Sequence, residues 1–254
     1  MKRDRKKNRI HQGRAGEFMS TVMPEAISDR IIAEKIREWE ERKKREKAQK
    51  DLREIKVHPF ITISRDLGCR EEEIIPHLET ELGWKVYGRS LLDHIAKREN
   101  LSRNFIETLD EQRQNLVDNW VNYLIRSGAI LQDDYVVLIS KLIKVIIAQE
   151  SAILLGRGAN YILADKTEGL RIRLTAPQKN RIHNIAHLRH IAEKDADEVV
   201  QKTDREREEF IQHHFKQQAR SPIAFDITFN TETLSPDIIV KTIIFMVEEK
   251  KKSH

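Results

Sequence analysis

The sequence predicts an α/β protein, rich in helices, on a parallel sheet with a basic helical arm in front. Three observations predict it. Short apolar, β-branched runs at 60–64, 151–155 and 170–174 are separated by long segments with apolar residues at helical spacing, the pattern of βαβ units. Nine glycines and six prolines in 254 residues are few for an all-β chain. The stretch 60–82 places a strand, a six-residue turn with Gly68 and a helix in succession, the frame in which a helix amino end offers free N–H groups to a phosphate.

Charge divides the chain. The net charge is +5, yet residues 1–57 hold 18 Lys and Arg against 11 Asp and Glu, while the remainder holds 28 against 30. The basic character therefore belongs to an arm, residues 1–57, ahead of a domain over 58–254. Residues 1–24 offer little to bury and read as disordered. A helix after Ser28 carries one apolar stripe, Ile31, Ile32, Ile36 and Trp39, and then a run of Glu and Lys/Arg at i, i+4 spacing. Such an arm is a solvated helix, a possible homo-oligomer contact, or a weak candidate for nucleic acid. No run of 18 apolar residues exists and no apolar core follows the basic amino end, so neither a membrane span nor a secretory signal is expected. A single cysteine, Cys69, suits a reducing, cytoplasmic setting.

Within the domain, His58-Pro59 breaks the arm's helix. Phe60–Ser64 is a strand. Ile74, Ile75, Leu78 and Leu82 mark a helix that Gly83 ends, and Trp84–Tyr87 is a second strand. Ser90 could cap a helix over 91–97. Ser102 opens a helix that runs to Arg126 on Phe105, Ile106, Leu109, Leu116, Trp120, Val121 and Leu124. Residues 135–149 form a central helix buried on more than one side. After the strand 151–155 come Gly156-Arg157-Gly158-Ala159-Asn160 and a short helix to Ala164. A strand over 170–174, helices over 177–191 and 195–218, a strand over 225–229 and a helix over 236–248 complete the chain.

The turn after the first strand has the frame of a phosphate-binding loop without its usual residues. The pattern G-x-x-x-x-G-K-[ST] uses glycines for close backbone approach, lysine for the β- and γ-phosphates and a hydroxyl for Mg²⁺. Laid on this turn its four defining positions fall on Arg65, Arg70, Glu71 and Glu72.

Several segments in order resemble the cytidylate kinase-like family. Ile61-Thr62-Ile63-Ser64-Arg65 followed by Gly68 matches I-T-I-S-R-x-x-G, with Cys69 where the family has Ser and Arg70-Glu71 where it has Gly-Gly. Tyr87 and Arg89 match Y-D-R, with Gly88 in the middle. Asp110-Glu111 matches a D-E pair. Residues 154–163 match G-R-G-A-N-x-I-L, and Asp204 with Arg207 matches D-x-x-R. The resemblance spans nearly 190 residues. It implies a three-layer nucleoside-monophosphate-kinase fold of the P-loop class and transfer of the γ-phosphoryl of ATP, with Mg²⁺, to CMP or dCMP. It further implies that Ser64, Arg65, Gly68, Cys69, Arg89, Arg157, Gly158 and Asn160 hold nucleotide. Arg157, with Asn160 nearby, would hold the acceptor's phosphate and Arg89 would assist. Arg205 and Arg207 would reach the transferring group from a helical flap. Arginine suits these tasks, because a planar five-donor fork grips phosphate and keeps its charge.

Alternatives stay open at this level. Arg157 could pair with an acidic residue, and Arg205 and Arg207 could belong to a salt-laced helix face. His183, His187 and His190 share a face, but no carboxylate or cysteine completes a metal site, and none is expected. Cys69 near a helix amino end could have a lowered pKa, or could simply fill space. Three functions follow: an active kinase, a nucleotide-binding module that has lost turnover, and an interaction protein that uses its arm.

Overall fold

The structure is a computed structural model, and it describes residues 57–97, 99–109 and 111–252. The expectations for the arm, its oligomer contact and its possible nucleic-acid contact lie outside the described residues, apart from Val57. Five strands form one parallel sheet in the order β2-β3-β1-β4-β5. They are β1 (Phe60–Arg65), β2 (Lys85–Gly88), β3 (Ala152–Leu155), β4 (Gly169–Thr175) and β5 (Ile227–Asn230). Phe60 pairs with Ala152 on one side and Gly169 on the other, which fixes β1 as the centre.

Both faces of the sheet are covered, as a parallel sheet requires. Helices α1 (Glu71–Leu82) and α9 (Pro236–Lys252) cover one face, where Ile61, Ile63, Ile153 and Ile172 meet Ile74, Leu78, Ile239 and Ile243. The other face carries α2 (Arg89–Ala96), α3 (Glu99–Glu107), α4 (Glu111–Arg126), α5 (Asp134–Gln149) and α6 (Ala159–Ile162). There Phe60, Ala152 and Leu154 pack with Leu92, Trp120, Ile143 and Ile147. Period-2 alternation along β1 thus feeds two cores from one strand. Helices α7 (Gln178–Arg189) and α8 (Glu193–Phe215) pack on each other through Ile185, Ala196 and Val200, with Leu67 of the turn after β1 among them. This is the expected three-layer α/β architecture.

Most expected elements are present, with three changes. The helix expected over 102–126 is two, α3 and α4, because Leu109 turns into the core at 2% exposure and breaks the ladder. Gln114 satisfies the freed carbonyl of Leu109 at 2.6 Å. Ser90 does not cap α2: the helix begins at Arg89, with extended Gly88 in the cap position. Helix α8 starts at Glu193 and stops at Phe215, where Lys216 takes the left-handed conformation. Gly83 ends α1 in that conformation, as its position predicts.

Candidate functional site

The loops after β1 and β3 leave the carboxyl edge of neighbouring strands, the place where open α/β sheets bind ligands. A cavity opens there. Its wall includes Ser64, Arg65 and Asp66 from the end of β1, and Gly156, Arg157 and Gly158 after β3. Arg89 comes from α2, Arg173 from β4, and Asp204, Arg207, Phe210 and Ile211 from α8. Tyr161, Glu206, Glu208 and Arg220 complete the polar rim. Six arginines face four carboxylates along its wall, so the cavity is electropositive.

The backbone of the second loop aims Arg157. Gly156, Arg157 and Gly158 all have positive φ, 78°, 54° and 68°. For the arginine this costs about 1–2 kcal/mol. Gly158 is required for a second reason: a Cβ there would lie 2.2 Å from the Phe215 ring. Arg157 Nε donates to Asp93 Oδ1 at 2.9 Å, and Nη2 bonds the second oxygen. The guanidinium lies 5.4 Å from the ring centroid of Tyr135 and 5.1 Å from that of Phe210. Tyr135 also donates to Asp93 at 2.6 Å, and Arg89 Nε is 3.8 Å from it. Burial alone would raise the Asp93 carboxyl, but hydrogen bonds from Arg157 and Tyr135 outweigh it and hold the group below its ordinary range. Asp93 therefore gathers Arg157 and Arg89 on one side of the cavity.

Arg207 is placed differently. Its Nη1 donates to the carbonyl of Arg65 at 2.7 Å. Among the described residues no carboxylate lies within ion-pair distance of it. Burial, and then the charge of Arg65, push its pKa down to about 10. Two guanidinium groups thus share a partly dry space in which Glu71 bonds only Arg65, and a further anion is the natural partner for Arg207.

The first loop is held by side chains. Arg181 donates to Leu67 O at 3.1 Å and to Asp204 at 2.7 Å, while Asp204 accepts from Leu67 N at 3.1 Å. Asn184 donates to Gly68 O at 2.9 Å. A Cβ on Gly68 would lie 2.5 Å from Arg181 O, so only glycine allows α7 this close. Asp66 accepts from Arg173 at 2.6 Å and from Thr175 at 2.8 Å. Glu71 accepts from Arg65 Nε at 3.3 Å.

Of the residues singled out from sequence, Ser64, Arg65, Arg89, Arg157, Gly158 and Arg207 line one cavity. Four do not. Gly68 faces α7, and Asn160 lies buried beneath the wall, where its Oδ1 accepts from Ser64 at 3.4 Å. Cys69 is fully buried, and burial, followed by the charges of Asp66 and Glu71, raises its thiol to about 12. That is opposite to the lowering a helix amino end could give. Arg205 is exposed and lies off the wall. Sequence reasoning missed Asp93, Asp66, Arg173, Phe210 and Arg220. Only Asp93 left a signal, at i, i+4 from Arg89.

Among the described residues, the loop positions that would hold Mg²⁺ do not carry the usual ligands. The hydroxyl position of the loop is Glu72, and Asp66 and Asp204 are engaged with Arg173 and Arg181. Among the described residues, no group of three or more His, Cys, Asp or Glu is placed to hold a metal. No described helix is long and apolar enough to cross a membrane.

Comparison with known proteins agrees with the fold. The family model described as the cytidylate kinase-like family matches residues 60–233. The chain belongs to that family, which gives it a nucleotide-kinase-like function and a nucleotide as substrate. Among solved structures it is similar to an uncharacterized protein from Eubacterium ventriosum, at 18% identity and a TM-score of 0.58 over 76% of this chain and 99% of that one, which shows the shared fold. It also matches the YorR protein of Bacillus subtilis, in complex with phosphorylated GDP, at 18% identity and a TM-score of 0.39 over 77% and 99%. TT1252 from Thermus thermophilus matches at 15% identity and a TM-score of 0.36 over 75% and 98%. No curated protein matches the chain in sequence.

Proposed function

We propose that the protein takes a nucleoside monophosphate of the CMP or dCMP class into the arginine cavity, phosphate first, as acceptor for the γ-phosphoryl of ATP. The observation that carries this reading is Arg207, a guanidinium largely shielded from solvent, without a carboxylate and beside Arg65. Phosphoryl transfer needs alignment and charge stabilisation more than covalent chemistry, and fixed guanidinium groups supply both. In this reading Arg157 and Arg89 hold the acceptor's phosphate, preset by Asp93. Arg65 and Arg207 face the group in transit. Phe210 and Ile211 give the cavity an apolar wall for a base.

A second reading, a nucleotide-binding module without turnover, is favoured by one observation. Glu71 stands at the head of α1 with its carboxylate on Arg65, where a donor's phosphates would be cradled. Coupled ATP turnover with CMP, dCMP and UMP separates the two readings. Turnover with a pyrimidine monophosphate supports the first. A rise in melting temperature with CMP but no turnover establishes the second, and neither response to any of the three nucleotides rejects both.

A further inference from the structure

We infer that Glu71 sets how many phosphates the arginine cavity accepts: its carboxylate is the internal counter-anion of the Arg65–Arg207 pair, which a polyphosphate gains only by displacing it. This rests on the phosphate-binding reading of the cavity given above.

Three observations carry it. Glu71 Oε1 is 3.3 Å from Arg65 Nε, and Oε2 is buried with no hydrogen-bond partner among the described residues. A bare carboxylate oxygen is costly to bury. It is tolerated here because Arg65, Arg207 and the amino end of α1 together make the place positive. Arg207, for its part, has no carboxylate within ion-pair distance among the described residues. Of the acidic groups whose charge acts on it, Glu71 counts most, ahead of Asp204 and Asp66.

Placement gives the third observation. Glu71 is not part of the cavity wall but sits behind Arg65, whereas Asp93 serves Arg157 and Arg89 on the other side. A single phosphate on Arg157 and Arg89 leaves Glu71 where it is. A second or third phosphate reaching toward Arg65 brings negative charge against the Glu71 carboxylate, which must give up Arg65. The neighbouring acids do not share this role. Glu73 pairs with Arg70 at 2.7 Å toward solvent, and Glu72 is exposed.

The test is calorimetry on the full chain with inorganic pyrophosphate and with CMP, comparing wild type with Glu71→Gln, Glu71→Ala and the control Glu73→Gln. Glutamine keeps the shape and an acceptor for Arg65, and the alanine variant gives an independent arm. Removing the like charge should tighten pyrophosphate by about tenfold or more in both Glu71 variants, change CMP by less than about threefold and leave the control as wild type. Unchanged pyrophosphate affinity in folded Glu71 variants overturns the assignment whatever CMP does. Pyrophosphate that tightens while CMP binds to no variant sustains Glu71's role and rejects the acceptor reading instead.

Discussion

Arg207 donates through Nη1 to the carbonyl oxygen of Arg65 at 2.7 Å, which draws a guanidinium of α8 onto the carboxyl end of the central strand. The contact leaves Arg207 without an ion pair among the described residues, and a carbonyl dipole is a weak partner for a buried cation. An arrangement that costs the empty protein something and gains from an anion is what a binding site shows. Arg207→Met should therefore raise stability by about 1–3 kcal/mol while weakening CMP by at least about tenfold. Denaturant unfolding and calorimetry on the same variant check the two halves. A variant that loses stability and keeps CMP affinity would show Arg207 to be structural.

Asp93 is the anchor on the opposite side. Because its pKa is held below the ordinary carboxyl range, it contributes stability that is fully present above the unfolded-state value and is lost as pH falls through the folded value. Asp93→Asn should remove that part of the acid dependence, so that wild type and variant converge at low pH. At neutral pH the variant should be less stable by about 1–2 kcal/mol, discounted for the solvent that reaches Asp93, and CMP binding should weaken as Arg157 loses its fixed direction. Urea melts from pH 2 to pH 7 provide the comparison, and parallel curves at every pH would refute the linkage.

Much of this was legible in the sequence. The unbroken apolar and β-branched run Phe60–Ser64 marked a buried strand, and the glycines around Arg157 marked a tight loop from which an arginine can reach a crevice. The break at Leu109 was hidden because α3 and α4 both keep a 3.6-residue period across it. The choice between Arg205 and Arg207 was available from helical geometry. Asp204 and Arg207 share a face at i, i+3, while Arg205 points about 200° away from Arg207. Which carboxylate answers which arginine was not legible. Asp66 meets Arg173 across 107 positions and Asp93 meets Arg157 across 64, and only the sheet order brings them together. The thiol of Cys69 shows the same limit: its place at a helix head left a lowered pKa and a space-filling role both open, and its burial decides for the second.

Cys69 is for that reason a clean reporter of opening. Its thiol is fully buried and raised to about 12, so at pH 8 almost none is thiolate. A disulfide reagent should leave it unmodified in the native protein for as long as the loop after β1 stays packed on α7. It should react at the unfolding rate when mild denaturant is added. Stoichiometric reaction within seconds on the native chain would mean that the loop opens far more readily than its hydrogen bonds to Arg181 and Asn184 imply.

Lys144 poses a separate question of stability. It is wholly buried on α5, its Nζ has no hydrogen-bond partner among the described residues, and it lies 5.0 Å from the Trp120 ring centroid. Burial, and secondarily the charge of Lys166, lower its pKa from 10.5 to about 7, with Asp165 and Glu168 acting the other way. Between those two values the unfolded chain binds the proton and the folded chain does not, so stability should rise as pH goes from 7 to 10.5. Below about pH 7 both states are protonated and the full cost of the buried charge is felt. Lys144→Met, close in shape and apolar, should stabilise the protein by about 2–4 kcal/mol at pH 7 and should flatten the rise toward pH 10.5. Thermal or urea unfolding of both proteins at pH 7 and pH 10 decides it. A wild type whose stability does not climb over that range, or a methionine variant no more stable than it, would mean that Lys144 has found a partner that keeps it charged.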